Sequence, residues 1–456
     1  MFNKAIVQLM ALGFVGSLAA TATAQDAGAL IDVMVRKGML KDQEAEQIRS
    51  QLSRDFAAQS SAGKLNLSSS VKELKLSGDV RLRYQYDTKD YQAAPATNVE
   101  QRSRFRLRLR VGADYKLADN FFAGFGLQTE QKNDSGNQTM ANAREAAANA
   151  DAGSDYFGNY NIYINKAFIG WNVVPGVTLV GGKQVNPIYT TDMVWDGDIN
   201  PTGFTQTVDI HKFLELGGLE LSLRSGQLIV SDSANESANA TGWNANRDAW
   251  IYVNQLVATV PVMDGVKLTV APGFYCSNGA ATTGNGNGEA NPAGGATALE
   301  GLKIITAPGD VSFKFAGLPV KAQWDFAYNQ DATDRTVNYG GTAPSGTDKL
   351  AWLAGFQVGE NKKKGDWSLL ANYRQVGLSA VDPNINDSDW ALSYTNMAGY
   401  KVGFFYNLGD ATSIGSTFYY ADNLRKNLPG AAAGKPGGEG KNNSVQVLQV
   451  DLSVKF

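Results

Sequence analysis

The sequence predicts an all-β chain, folded as a sixteen-stranded antiparallel transmembrane β-barrel behind a short N-terminal helical segment. Three observations predict it. From Leu74 onward, apolar and polar residues alternate in stretch after stretch. The connections between those stretches are by turns short and long. The chain ends in Val450-Asp-Leu-Ser-Val-Lys-Phe456, a strand pattern closed by an aromatic residue.

The clearest stretch is residues 102–115, RSRFRLRLRVGADY. Arg104, Arg106, Arg108 and Arg110 take every second place, and Phe105, Leu107, Leu109 and Val111 fill the places between. Side chains on a strand point to opposite faces in turn, so this strand has one apolar wall and one cationic wall. A soluble sandwich could show the charged wall to water, but the apolar wall would then need a protein core. A barrel in lipid has the two solvents in place, apolar outside and wet inside. Leu74 to Tyr84 repeats the pattern, with Arg81 and Arg83 on the polar side.

Composition bounds the class. The chain has 456 residues, with 41 basic against 44 acidic side chains, so no nucleic-acid partner is implied. There is one cysteine, Cys276, which excludes an intramolecular disulfide, and one histidine, His211. Histidine-dependent triads and metal sites are therefore poorly supplied, and no metal or cofactor site is predicted. Gly284, Gly286 and Gly288 mark a flexible tip, since no Lys-Ser/Thr follows them as in a phosphate loop. The aspartates of 382–389 are close enough to hold a divalent cation, but spaced loop aspartates more often hold none.

In chain order, residues 1–24 read as a secretory signal peptide. Lys4 supplies its positive end, Ala5 to Ala20 its apolar body, and Ala22-Thr23-Ala24 its small-residue cleavage site. Residues 25–58 read as a periplasmic helical segment of two short helices, with a turn near Gly38. Residues 59–73 form a linker rich in Ser, and the barrel occupies 74–456. Short connections lie near Asp119, Pro175, Gly217-Gly218, Asp264-Gly265, Gly317, Gly365 and Gly409-Asp410. Long ones lie near 87–101, 131–160, 185–204, 231–248, 276–298, 330–348, 376–388 and 425–442. Seven short turns and eight long loops separate sixteen strands. The alternation is weakest around 205–216 and 298–316. Tyr84, Tyr115, Trp171, Trp367, Tyr406 and Tyr420 suit aromatic girdles at the membrane surfaces.

The terminal phenylalanine strand, the signal peptide, the helical pre-segment and the strand count together resemble the sixteen-stranded porins of Gram-negative outer membranes. The chain is most similar to the putative porin family, and more loosely to the phosphate-selective porins, whose pores are lined by arginines. The most motif-like piece runs from Gly182-Lys183-Gln184-Val185-Asn186-Pro187 through Trp195-Asp196-Gly197-Asp198-Ile199-Asn200-Pro201. The resemblance implies a water-filled channel for passive diffusion of small hydrophilic solutes and ions, contact with outer-membrane lipid, and a homotrimer.

Candidate site residues fall into two sets. Arg81, Arg83, Arg104, Arg106, Arg108 and Arg110 share the expected inner face of two neighbouring strands, where water or acids can solvate them. They read either as a track for anions or as a wall neutralised by an acidic loop. The third long loop carries Asp192, Asp196 and Asp198, with Trp195 as an apolar anchor between Pro187 and Pro201. It is expected to fold into the lumen as a constriction, its three aspartates opposite the arginines. Residues 131–160 are the rival. Six arginines against three loop aspartates predict a weak anion preference. The alternatives are a structural or adhesive barrel, favoured if no conductance is found, and a barrel enzyme, which lacks a recognisable histidine motif.

Overall fold

In the computed structural model the chain forms two units, Met1–Ser69 and Ser70–Phe456. The structure describes residues 35–37, 43–48, 50, 67–93, 96–130, 135–140, 159–231, 249–278, 282–283, 297–298, 302–332, 346–425 and 443–456. The expected signal peptide, most of the expected linker and the tips of several long loops lie outside them. In the first unit, residues 43–48 form a short helix.

The second unit is a closed antiparallel barrel of sixteen strands. They are β1 (Val71–Ala93), β2 (Ala96–Leu117), β3 (Phe121–Thr129) and β4 (Ile162–Val174). Next come β5 (Val177–Lys183), β6 (Thr202–Asp209), β7 (Glu220–Ser231) and β8 (Ala249–Met263). β9 has two pieces, Val266–Val270 and Gly273–Asn278, as does β10, Lys303–Thr306 and Gly309–Phe315. The last six are β11 (Leu318–Asn329), β12 (Leu350–Gly359), β13 (Trp367–Val376), β14 (Met397–Asn407), β15 (Thr412–Asn423) and β16 (Asn443–Lys455). Each strand pairs with its neighbours in sequence, and β1 pairs with β16 from Asp79↔Lys455 to Tyr91↔Asn443. Closure leaves no unpaired edge, the condition for a sheet in hydrocarbon.

The seven short turns fall where the sequence places them. Two expectations are corrected. The connection near 87–101 is no loop: β1 and β2 stay paired to Ala93↔Ala96, so the hairpin continues past the length a bilayer needs. β1 also begins at Val71, three residues inside the expected linker. The two broken patterns have local causes. Around 205–216, β6 stops at Asp209 and a 3-10 turn, Ile210–Lys212, carries the chain on. In 298–316, Pro308 interrupts β10 beside Pro272 in β9, because proline has no N–H for the ladder. The carbonyls stay in use: Ala271 N–H donates to Pro308 O at 2.9 Å and Leu256 N–H to Pro272 O at 3.0 Å.

Alternation sorts the faces. Leu82, Phe105, Ile169 and Phe404 lie exposed on the outer wall, while Arg83 and Arg108 are 5% and 7% exposed. Aromatic pairs band the outside: Phe121 stacks on Trp171 with centroids 5.5 Å apart, and Tyr400 on Tyr420 at 5.4 Å. The buried apolar core lies inside the barrel. Met193, Val194 and Trp195 pack there with Trp390, Tyr394 and inward residues such as Val253, Leu353 and Met397.

Gly182 and Gly203 pair where the third long loop leaves the wall. Both have positive φ, +117° and +147°, and a Cβ on either would meet a neighbouring carbonyl oxygen at 2.3 and 2.2 Å. Only glycine lets the strands approach this closely there. Gly203→Ala is expected to cost about 1–3 kcal/mol, read as a lower temperature for conversion of the compact barrel band in electrophoresis. Gly217→Ala, in an open turn with nothing within 4 Å of the added carbon, should cost only about 1 kcal/mol.

Candidate functional site

β1 and β2 bring the six arginines together. Their register sets Arg81 opposite Arg108 and Arg83 opposite Arg106, with Asp79 beside Arg110 and Gln85 beside Arg104. Like charges at this spacing need acids, and the fold supplies them from the wall first. Asp79 accepts from Arg108 Nη2 at 2.9 Å and from Arg110 Nε at 2.6 Å. Asp451, on β16, takes Arg83 through two parallel bonds of 2.7 and 2.9 Å. Such bidentate, charge-assisted pairs are among the strongest polar contacts a protein makes. Asp87 pairs with Arg104 and Glu130 with Arg106, each at 3.4 Å. Arg81 donates to Asn137 Oδ1 at 2.7 Å, and Arg106 to Asn137 O at 2.6 Å. The described start of the 131–160 segment, 135–140, therefore also lies against this wall.

Within the third long loop, 185–204, residues Ile188, Met193, Val194 and Trp195 pack against inward side chains of the barrel wall. Gln255 on β8 clasps its backbone, accepting from Tyr189 N–H at 2.8 Å and donating to Tyr189 O at 2.7 Å. Thr191 donates to Asp325 on β11 at 2.6 Å, and Arg224 on β7 to Pro187 O at 2.7 Å. Trp195 is buried and donates its indole N–H to Ile199 O at 3.2 Å. The three aspartates part company. Asp198 opposes the arginines, 3.2 Å from Arg110 and 3.7 Å from Arg108. Asp192 instead meets Lys401 on β14 at 3.0 Å. Asp196 lies against a second loop, accepting from Ser388 N–H at 3.3 Å. The expectation that all three face the arginine wall is corrected for two of them, because the loop's short turns aim successive carboxylates in different directions.

The second loop, 377–396, is the part sequence reasoning missed. Its first half reads as a polar surface connection, yet most of it is buried in the lumen. Asp196 N–H donates to Ile385 O at 2.6 Å and Asp387 N–H to Asp192 O at 2.9 Å, so the loops are sewn together through their backbones. Asp387 is tied to Arg374 at 2.7 Å and Asp389 to Arg83 at 3.3 Å. The Trp390 ring covers the Arg374 guanidinium at 4.6 Å. Ala391, Leu392 and Ser393 all have positive φ, between 52° and 66°. Left-handed backbone costs L-residues roughly 1–2 kcal/mol each, and burial of Trp390 and Tyr394 on either side holds the turn in place. The signal was available: Val381, Ile385, Trp390, Leu392 and Tyr394 make this segment as apolar as Ile188 to Trp195. Arg374 and Lys401 were likewise readable as lone inward cations on strands.

Charge in the loops follows their partners. Lys401 holds the Asp192 carboxyl below its ordinary range. Arg83, Arg106 and Arg81 hold Asp389 down at about 2 against the opposing effect of burial. Burial, then the nearby Asp387 carboxylate, pushes Asp196 up to about 8.

A family model described as Putative porin matches residues 86–288 and 294–456. The chain belongs to this porin family. As a porin it is a channel of the Gram-negative outer membrane. Comparison with curated proteins finds no match. Among solved structures, the porin is similar to Salmonella typhi OmpF in a complex with daunomycin, at 10% identity and TM-score 0.45, covering 84% of this chain and 97% of that one. It is also similar to Pseudomonas putida OprB, at 10% identity and TM-score 0.47, covering 84% and 94%. A variant of Rh. blastica porin gives 11% identity and TM-score 0.40, covering 84% and 100%.

A carboxyl raised in the fold binds its proton where the unfolded chain has released it. The Asp196 contribution is therefore whole below the ordinary carboxylate value and declines as pH rises from about 4 to about 8. Asp196→Asn is expected to flatten the fall in stability across that window and change little at pH 4. Urea unfolding in detergent at several pH values checks it, and an unchanged pH slope would remove Asp196 as its source.

Proposed function

We propose that small hydrophilic solutes and ions pass through the lumen beside the charged cluster that the arginine wall forms with the two folded-in loops, 184–201 and 377–396. The observation that carries this reading is a charged cluster inside the barrel: arginines of β1 and β2 paired directly with Asp198 and Asp389 from separate loops, at 3.2 and 3.3 Å. Charged side chains lining a pore set which ions enter it. On the short-turn side a cavity of about 590 Å³ leads to this point, lined by Lys75, Asp79, Arg110, Lys166, Asp198 and Asn200 among others. Assembly as a homotrimer belongs to the same reading. A structural or adhesive barrel needs no such cavity beside a charged constriction.

Ion preference rests on a fuller balance than six arginines against three aspartates. Asp79, Asp87, Glu130, Asp198, Asp389 and Asp451 each contact the wall, so the constriction is near balance. A weak anion preference then comes from the cations of the short-turn vestibule, where Lys75, Lys166 and Lys455 join Arg110 around the cavity. It should fade in strong salt, because the Debye length is about 10 Å at 0.1 M.

Two measurements test the reading. In planar bilayers, replacing 383–393 by a short Gly-Ser bridge is expected to raise single-channel conductance roughly twofold or more, since a narrow constriction dominates resistance. No increase would place the path elsewhere. The zero-current potential across a salt gradient should have the sign for anions and shrink in Lys75→Ala with Lys455→Ala. A cation-selective parent would overturn the preference and leave the path standing.

A further inference from the structure

We infer that the outward face of β6, β7 and β8 packs against a second copy of this chain, not against lipid. The inference rests on reading the chain as a membrane barrel. Around most of the wall, outward positions at mid-strand are apolar, as at Leu82, Leu107, Ile169, Phe326, Phe356 and Phe404. On β6 to β8 they are not. Gln206 pairs in register with Ser225, and Ser225 with Asn254. Gln227 stands two residues along from Ser225 on the same face. These positions share parity with Phe204, Leu223 and Leu256, which are 54%, 40% and 40% exposed. The alternate positions Thr205, Val253 and Gln255 are 3%, 0% and 1% exposed and point inward.

The four side chains form two hydrogen-bonded pairs. Gln206 Nε2 donates to Gln227 Oε1 at 2.8 Å, and Gln227 Nε2 returns a bond to Gln206 Oε1 at 3.1 Å. Ser225 Oγ donates to Asn254 Oδ1 at 2.9 Å. A primary amide has two N–H donors. One on each glutamine, and both on Asn254, are left over for a partner. In hydrocarbon an unmet donor is costly, and no water is present to meet it.

A second observation falls on the same side of the barrel. β5 and β6 have 7 and 8 residues, against about 9–11 for a strand that crosses a bilayer. A wall too short for its membrane is relieved by thinning the bilayer or by oligomerising. The occupant that fits is another copy. Amides carry both donor and acceptor, so the patch is complementary to a neighbour presenting the same groups. No Asp, Glu, Lys or Arg takes an outward place on Thr202 to Val208, Leu221 to Ile229 or Trp250 to Ala258, so like meets like without repulsion.

The test uses the full chain in lipid nanodiscs and native mass measurement. The parent is expected to be an oligomer. Gln206→Leu, Gln227→Leu and Asn254→Leu together should lower the oligomer fraction about tenfold or more, with conductance per barrel unchanged. Leucine suits lipid, so the separated barrel should be no easier to unfold. Val402→Leu on the far wall should change nothing. Where the triple variant fails to fold, Asn254→Cys in a Cys276→Ser background decides, by forming an oxidised cross-link between two copies. A monomeric parent, an oligomer untouched by the leucines, or a cross-link to a different protein would each overturn the inference. A parent that does not conduct would overturn the channel reading and leave the interface result standing.

Discussion

Everything in this porin depends on one constraint: backbone N–H and C=O groups in hydrocarbon must find each other. Water is absent there, and each unmet group costs several kcal/mol. A sheet meets the demand only if its first and last strands pair, as β1 and β16 do. Phe456 joins the closure, exchanging backbone bonds with Gly78 at 2.9 and 3.0 Å. Once the sheet closes, residue parity decides which solvent each side chain meets. A slip of one residue would turn six arginines toward lipid, at roughly 2–4 kcal/mol each near the midplane.

Closure moves the problem to the inside. An arginine wall in a lumen repels itself unless acids meet it. The chain answers with acids from three sources: neighbouring strands, the loop 184–201, and the loop 377–396. The loops also bring apolar side chains, and these need a surface. They find it on the far side of the lumen, where inward residues of β8, β12 and β14 are Val253, Leu353 and Met397. The lumen is thus split into an apolar half that anchors the loops and a charged half of ion-paired arginines.

The outer surface shows the same logic with an exception. Apolar parity holds around most of the wall and gives way at Gln206, Ser225, Gln227 and Asn254. A polar cluster facing outward beside two short strands breaks the rule for a lipid-facing wall, and contact with another chain restores it.

The sequence by itself determined the barrel, its strand number and its short turns. All of these follow from period-two alternation and from loop length, which are local properties read along the chain. Tertiary structure decided the partners. Asp79 and Asp451 meet arginines because strand pairing brings them across the sheet, and residue 451 meets residue 83 only through closure. Asp192 turns to Lys401 and Asp196 to the second loop because backbone turns within 184–201 set their directions, and no alternation rule applies in a loop. The segment 377–396 is buried for the same reason: its aspartates resemble any solvated loop, and only the space inside a closed barrel gives its tryptophan and tyrosine somewhere to go.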